Sequence, residues 1–173
     1  MKLISLVLKE NSPEFDFRNI CWGMTKEEVK TAEMHSPNSE GKDYITYREW
    51  VMDMDTIVGF HFHNGLLVEA GYAFREDYEN ADEYIKRYEK AKSILDDVYG
   101  RPSIDKDLIC KSKDKRDAES NSVMFLTEWL TERSIIRLIL MGQGGDCDFG
   151  LLHKSREHAS LVDKWHGISS DDE

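Results

Sequence analysis

His61 and His63 are the residues whose type and spacing come closest to chemistry in this chain. A His-x-His pair on an extended segment points both imidazoles the same way, an arrangement that chelates zinc once further donors converge on it. Glu69 lies just beyond, across an Asn64-Gly65 turn signal. Two imidazoles and one carboxylate not directly opposite His61 are too few for a metal centre, so the expectation is no metal site and no cofactor. A second stretch, GQGGDCDF, places Gly142, Gly144 and Gly145 ahead of Asp146 and Asp148. It lacks the Walker lysine, the dinucleotide-fold glycine spacing and the calcium-loop spacing, and reads as a mobile connection before a last strand at 149–153. His61, His63, Asp146, Asp148 and His153 would form the active site of a small hydrolase, metal-dependent or not, if they met in one cavity. The expectation is that they do not, and that no residue is catalytic.

The elements that must position these groups are legible from periodicity. The stretch 77–102 carries Ala81, Tyr84, Tyr88, Ala91, Leu95 and Val98 at three- and four-residue steps, which predicts a central amphipathic helix. Asn80 followed by Glu83 caps its start, and Gly100 with Pro102 ends it. Thr25 and Glu28 form a capping box, so a short helix begins at Lys26 and fades before Pro37. Phe17, Ile20 and Trp22 carry the approach to it onto the core. Extended patterning follows in Ile45, Tyr47, Glu49 and Val51, then in IVGFHFHNGLLVEAGYAF. Treating His63-Asn64-Gly65 as a three-residue loop pairs Phe62 with Leu66, Phe60 with Val68 and Val58 with Ala70, giving one apolar face. VMFLTEWLTERSIIRLILMG reads as two strands joined near residues 131–134, the second apolar on both faces and therefore central. Residues 103–122 read as an exposed loop, 3–8 as a first strand and 155–165 as a terminal helix.

The expected architecture is α+β, an antiparallel sheet packed against one long central helix and a short N-terminal helix. Residues 1–166 are expected to form a single domain, and 167–173 an acidic flexible tail.

With 23 Lys plus Arg against 34 Asp plus Glu, the net charge is -11. That opposes nonspecific binding to nucleic acid or an anionic membrane and suits a basic protein partner. Cys21, Cys110 and Cys147 cannot all pair within one chain and form no zinc or redox motif, so a reducing, cytoplasmic setting is expected. No apolar run of membrane-spanning length occurs. Oligomeric state is not encoded in any motif.

The segment FRNICWGMTKEEVKTAE, then YREWV, VGFHFHNGLLVEAGYAF, a helix ending ILDDVYGRP, and TEWLTERSIIRLIL before a closing strand resemble bacterial domains of the beta-lactamase-inhibitor-protein-like and outer-membrane-assembly small-lipoprotein-like fold group. The resemblance covers residues 15–153. Gly23, Met24, Thr25 and Glu28 match that group's short-helix motif, and Phe62, Asn64, Gly65 and Leu66 its hairpin signature; both are fold-forming. No second copy of the short-helix motif is present, so only the sheet-forming half is expected to recur. The resemblance implies a protein that acts by binding another protein with an exposed sheet face and loops. Together with the acidic charge it predicts a noncatalytic regulator, inhibitor or immunity-like factor, with Tyr44, Trp50, His61, His63 and Glu69 as contact residues.

Overall fold

The computed structural model describes residues 15–110, 122–143 and 145–159. The strand expected at 3–8, most of the helix expected at 155–165 and the tail at 167–173 lie outside the described residues.

Helix α1, Lys26–Glu33, starts as its sequence dictates. The Thr25 backbone N–H donates to Glu28 Oε2 at 2.8 Å, and Thr25 Oγ1 accepts from the Glu28 N–H at 3.4 Å. A short β1, Ser39–Glu40, precedes β2, Tyr44–Val51, and β3, Met54–His63. Met52 and Asp53, both at positive φ, make the turn between β2 and β3. Asn64 and Gly65, at φ 51° and 80°, make the next turn into β4, Leu66–Phe74, the type I′ pattern that matches strand twist. Helix α2, Ala81–Tyr99, is capped by Asn80, whose side chain accepts from the Glu83 N–H, and closes at Gly100 with φ 78°. Then come β5, Ile104–Cys110; β6, Ser122–Leu130; β7, Ser134–Gln143; and β8, Asp146–Ser155.

All eight strands join one antiparallel sheet in the order β1-β2-β3-β4-β8-β7-β6-β5. The helix-centred α+β expectation is therefore corrected. Among the described residues the frame is an eight-stranded sheet, against which two helices have 19 and 8 residues. Long helical periodicity is conspicuous in a sequence, whereas strands gain their weight from pairing that only the fold reveals. Within this order a helix followed by four strands occurs twice. The long α2 occupies in the second half the place that α1 has in the first, so more than the strands recurs.

Cross-strand registry runs through the sheet and fixes what each face carries. Ile45, Phe60, Ala70, His153, Ile136 and Trp129 form one continuous row, all buried. Tyr47, Val58, Tyr72, Leu151, Leu138 and Thr127 form the next, and both rows lie on the face that the helices cover. Tyr88 of α2 packs its ring against Phe125 and Phe149, and its hydroxyl lies 2.7 Å from Thr127 Oγ1. Trp129 Nε1 donates to Asp96 Oδ1 and to the Gly100 carbonyl, both at 3.1 Å, which fixes the C-terminal end of the helix. Lys26 of α1 stands over the Phe62 ring, and Val29 is fully buried. Phe17 and Ile20 are buried as expected, and Trp22 packs beside them with Nε1 donating to Ser134 Oγ at 2.9 Å.

Further expectations are corrected. The β3–β4 hairpin turns on two residues, pairing His63 with Leu66 and Phe62 with Leu67, and a bulge then restores Phe60 opposite Ala70. Val68 is the extra residue of that bulge, so Leu67 and Val68 are both buried while Leu66 is exposed. A three-residue loop would have avoided the bulge; the structure keeps the better turn and absorbs the mismatch one step later. The same shift sets Glu69 directly opposite His61. Residues 104–110 form an edge strand paired with β6, where a loop was expected. Asp105, Lys106 and Asp107 disguise it, and charges of this kind blunt a sheet edge against further pairing. Gln143 pairs with Asp146, so β8 starts at Asp146 rather than at Phe149. Neither described helix covers the apolar second face of β7, where Ile135 and Ile139 are half-buried and Met141 is exposed. β4 and β8 hold the centre instead.

His153 sits in this core with neither ring nitrogen hydrogen-bonded, against Phe17 at 5.0 Å. Burial pushes its pKa down from 6.5 to about 3. The folded protein thus binds fewer protons than the unfolded chain between those values, and stability falls as pH drops below about 6.5 until it levels near the folded value. The loss expected at pH 5 is about 2 kcal/mol relative to pH 7. Urea unfolding of wild type and His153→Leu at both pH values checks this; the variant should lose that part of the slope, and an unchanged slope would remove His153 as its source.

Candidate functional site: the open sheet face

The face that neither described helix covers is built from the alternate residues. Its first row reads Tyr44, His61, Glu69, Lys154, Ile135 and Leu130. Its second runs Thr46, Gly59, Gly71, Leu152, Arg137 and Glu128, and its third Arg48, Ile57, Ala73, Gly150, Ile139 and Leu126. At the far end Trp50 faces Asp55 on one side of the sheet, and Asp148, Met141 and Met124 line up on the other.

A groove of about 440 Å³ crosses the middle of this face. Gly59, Gly71, Ala73 and Gly150 floor it, because none has a side chain large enough to fill the space above the strands. The two central glycines are also required by the strand packing. A Cβ on Gly71 would lie 2.6 Å from the Leu151 carbonyl oxygen, and one on Gly150 would lie 2.9 Å from that of Tyr72. Ile57, Ile139, Met141 and Leu152 give the groove apolar walls, and Arg75 and Asp148 give its open end charge.

At the other end the face is closed. Glu69 and Lys154 are both buried, with Lys154 Nζ 3.8 Å from Glu69 Oε2. At the open end Asp146 and Asp148 stand exposed beside Met141. Their field reaches Cys147, whose thiol pKa is pushed up first by burial and then by these two carboxylates. Arg48 and Asp55 pair through Nε and Oδ1 at 2.9 Å, and that contact holds the Asp55 carboxyl below its ordinary value.

Large exposed apolar side chains gather on this face. Tyr44, Trp50, Leu66, Met124, Leu130 and Met141 are all on it, and Met34 at the end of α1 is the exception among the described residues. Trp50 is 74% exposed.

The contact residues expected from sequence fall here, but unequally. Tyr44 and His61 are neighbours in one row, with rings 6.5 Å apart. Trp50 shares their face, about 20 Å along β2 from Tyr44 at strand rise. His63 is exposed beside the turn. Glu69 belongs to the same row yet is buried in its ion pair, so it supports the face from beneath rather than presenting a carboxylate. Of the hydrolase set, His61 and Asp148 line the same groove but at its two ends, Asp148 about 20 Å along β8 from Lys154, which shares the row of His61, while His153 points into the opposite core.

Sequence reading missed Met124, Leu130, Met141 and the glycine floor. The available signal was glycine inside three strand patterns, a mark of close approach. It also missed a second cluster at the α1 end of the covered face. Arg18, at φ 57°, donates to Glu49 Oε1 and Oε2 at 3.1 and 3.2 Å and lies 3.3 Å from Glu33 Oε2. His35 Nε2 is 3.3 Å from Glu49 Oε1, and its ring packs edge-on against Tyr47. Burial raises the pKa of Glu33, Arg18 opposes that rise, and Glu49 adds to it. No spacing rule joins residues so far apart.

Compared with known protein families, with curated proteins and with solved structures, the chain matches none.

Replacing Lys154 by Met would leave the Glu69 carboxylate buried without its cation. A loss of about 3–5 kcal/mol in unfolding free energy is expected, measured by urea denaturation at pH 7; a loss below about 1 kcal/mol would show that the pair is not held in a buried site.

Proposed function

We propose that this chain is a noncatalytic, cytoplasmic macromolecule-binding protein of regulator, inhibitor or immunity type, and that it takes a basic protein segment on its open sheet face. The observation that carries this reading is the segregation of exposed Trp50, Tyr44, Met124, Leu130 and Met141 onto one face around an apolar groove. Scattered surface apolar residues need no explanation, whereas a gathered set around a concavity is the usual form of a contact surface. Aromatic and methionine side chains supply desolvated anchors at low entropic cost.

Charge selects the partner. The chain carries -11 overall, and Asp146 and Asp148 border the methionines at the open end of the groove. A segment with apolar residues flanked by Lys or Arg would complement both features. The resemblance to the beta-lactamase-inhibitor-protein-like group, whose members bind other proteins with a sheet face and loops, supports the same reading. Among the described residues no helix is long and apolar enough to cross a membrane.

The test is affinity capture with wild type, Met124→Ser/Met141→Ser and Asp146→Asn/Asp148→Asn at low salt and at roughly 0.5 M salt. One basic protein should be retained by wild type, with affinity reduced about tenfold or more in each double variant and with salt weakening the wild type most. Lys90→Ser on the outer surface of α2 should bind as wild type does. Retention unaffected by both open-face variants, or lost with Lys90→Ser, would contradict the proposal.

A further inference from the structure

The cluster at the end of α1 brings one imidazole and two carboxylates together around Arg18. His35 Nδ1 lies 2.6 Å from the carbonyl oxygen of Glu33, a contact that requires Nδ1 to carry the proton and donate it. Nε2 then faces outward, 3.3 Å from Glu49 Oε1. Backbone donation from Nδ1 is also the arrangement by which proteins orient a histidine whose Nε2 ligates a metal.

The other donors are in place. Ligand atoms of Glu33, His35 and Glu49 all lie within 4.8 Å of one another. Donors around a tetrahedral zinc ion, with bonds of roughly 2.0–2.2 Å, stand about 3.3–3.5 Å apart, and the His35–Glu49 separation already meets that spacing. Glu33 Oε2 is buried and makes no hydrogen bond, with the Arg18 guanidinium 3.3 Å away as its ion-pair partner. Tyr47 supplies an independent sign. Its side chain is fully buried and its hydroxyl has no hydrogen-bond partner. The ring packs at 4.7 Å against His35. A buried hydroxyl beside a carboxylate, with nothing to bond, fits a site that takes a further ligand.

We infer that Glu33, His35 and Glu49 form a binding site for a divalent transition ion of the zinc class, with one imidazole and two carboxylates as ligands. Arg18 already holds Glu49 Oε1 and Oε2 and Glu33 Oε2, so it orients both carboxylates and would share these oxygens with the ion. The three ligands leave a fourth position for water, which the Tyr47 hydroxyl can meet. Bound there, the ion ties the end of α1 to β2. The site is separate from the open face and independent of the function proposed for it.

The test uses the full chain freed of metal and titrated with Zn²⁺ by calorimetry and with Co²⁺ by visible absorption. One ion per chain is expected, with affinity reduced at least tenfold in His35→Ala and in the isosteric Glu49→Gln, and kept in His61→Ala/His63→Ala. In the wild type, nitrogen-detected NMR should show the His35 Nε2 resonance moving on Zn²⁺ addition while Nδ1 remains protonated, which needs no variant to fold. Absence of saturable binding, a silent His35 Nε2, or binding that survives His35→Ala and is lost with the His61/His63 pair would overturn the inference.

Discussion

The pairing of β4 with β8 is the constraint on which the rest of this protein depends. It is the seam where the strands that follow α1 meet the strands that follow α2, and its register from Glu69 opposite Lys154 to Phe74 opposite Phe149 sets the parity of all eight strands. Because side chains alternate with period two, a slip of one residue at this seam would exchange the faces of an entire half. Several features hold it in place. Gly71 and Gly150 allow a backbone approach that any larger residue would block. The Phe74 and Phe149 rings pack at 4.6 Å, tilted by 38°, on the covered side, and the Glu69–Lys154 pair is buried on the other. An ion pair of this kind adds little net stability, yet a slipped register would leave both charges buried without partners.

The two faces that follow have different chemistry. One is closed by the helices and by Phe17, Ile20 and Trp22, with Trp129, Tyr88 and His153 among its buried rings. The other keeps aromatic and methionine side chains in solvent around a glycine-floored groove. The same glycines that let the central strands approach also leave space above them, so the seam that secures the fold creates the concavity on which the proposed function rests. Acidic side chains at one end of that concavity give it direction. The cluster around Arg18 and His35 belongs to the covered side, at the margin where the chain leaves α1, and has its own electrostatic logic.

Local signals in the sequence were faithful wherever one short stretch decides the outcome. Thr25 with Glu28, Asn80 with Glu83, and Gly100 all act as their types predict, because capping and positive φ are settled within a few residues. Alternation in β6 and β7 was likewise readable. What failed depends on partners distant in sequence. The Val68 bulge is a compromise between a favourable turn and the parity of the core, and neither alone predicts it. Ile104–Cys110 carries charges typical of a loop, and only its place beside β6 makes it a strand. Tyr44, Trp50 and His61 share a face only through the β2–β3 register, and the burial of Glu69 needed Lys154, a residue distant in the chain. Glu33, His35 and Glu49 were invisible as a group for the same reason.

The most direct test of the central claim is methyl NMR of the chain with and without the captured partner, because it reads the faces residue by residue. The account predicts an alternating pattern, in which Met124, Ile139 and Met141 shift on binding while Leu138 and Leu140, their neighbours on the same strand pair, stay unmoved. Shifts that ignore this alternation, or that concentrate on the outer surface of α2, would contradict it.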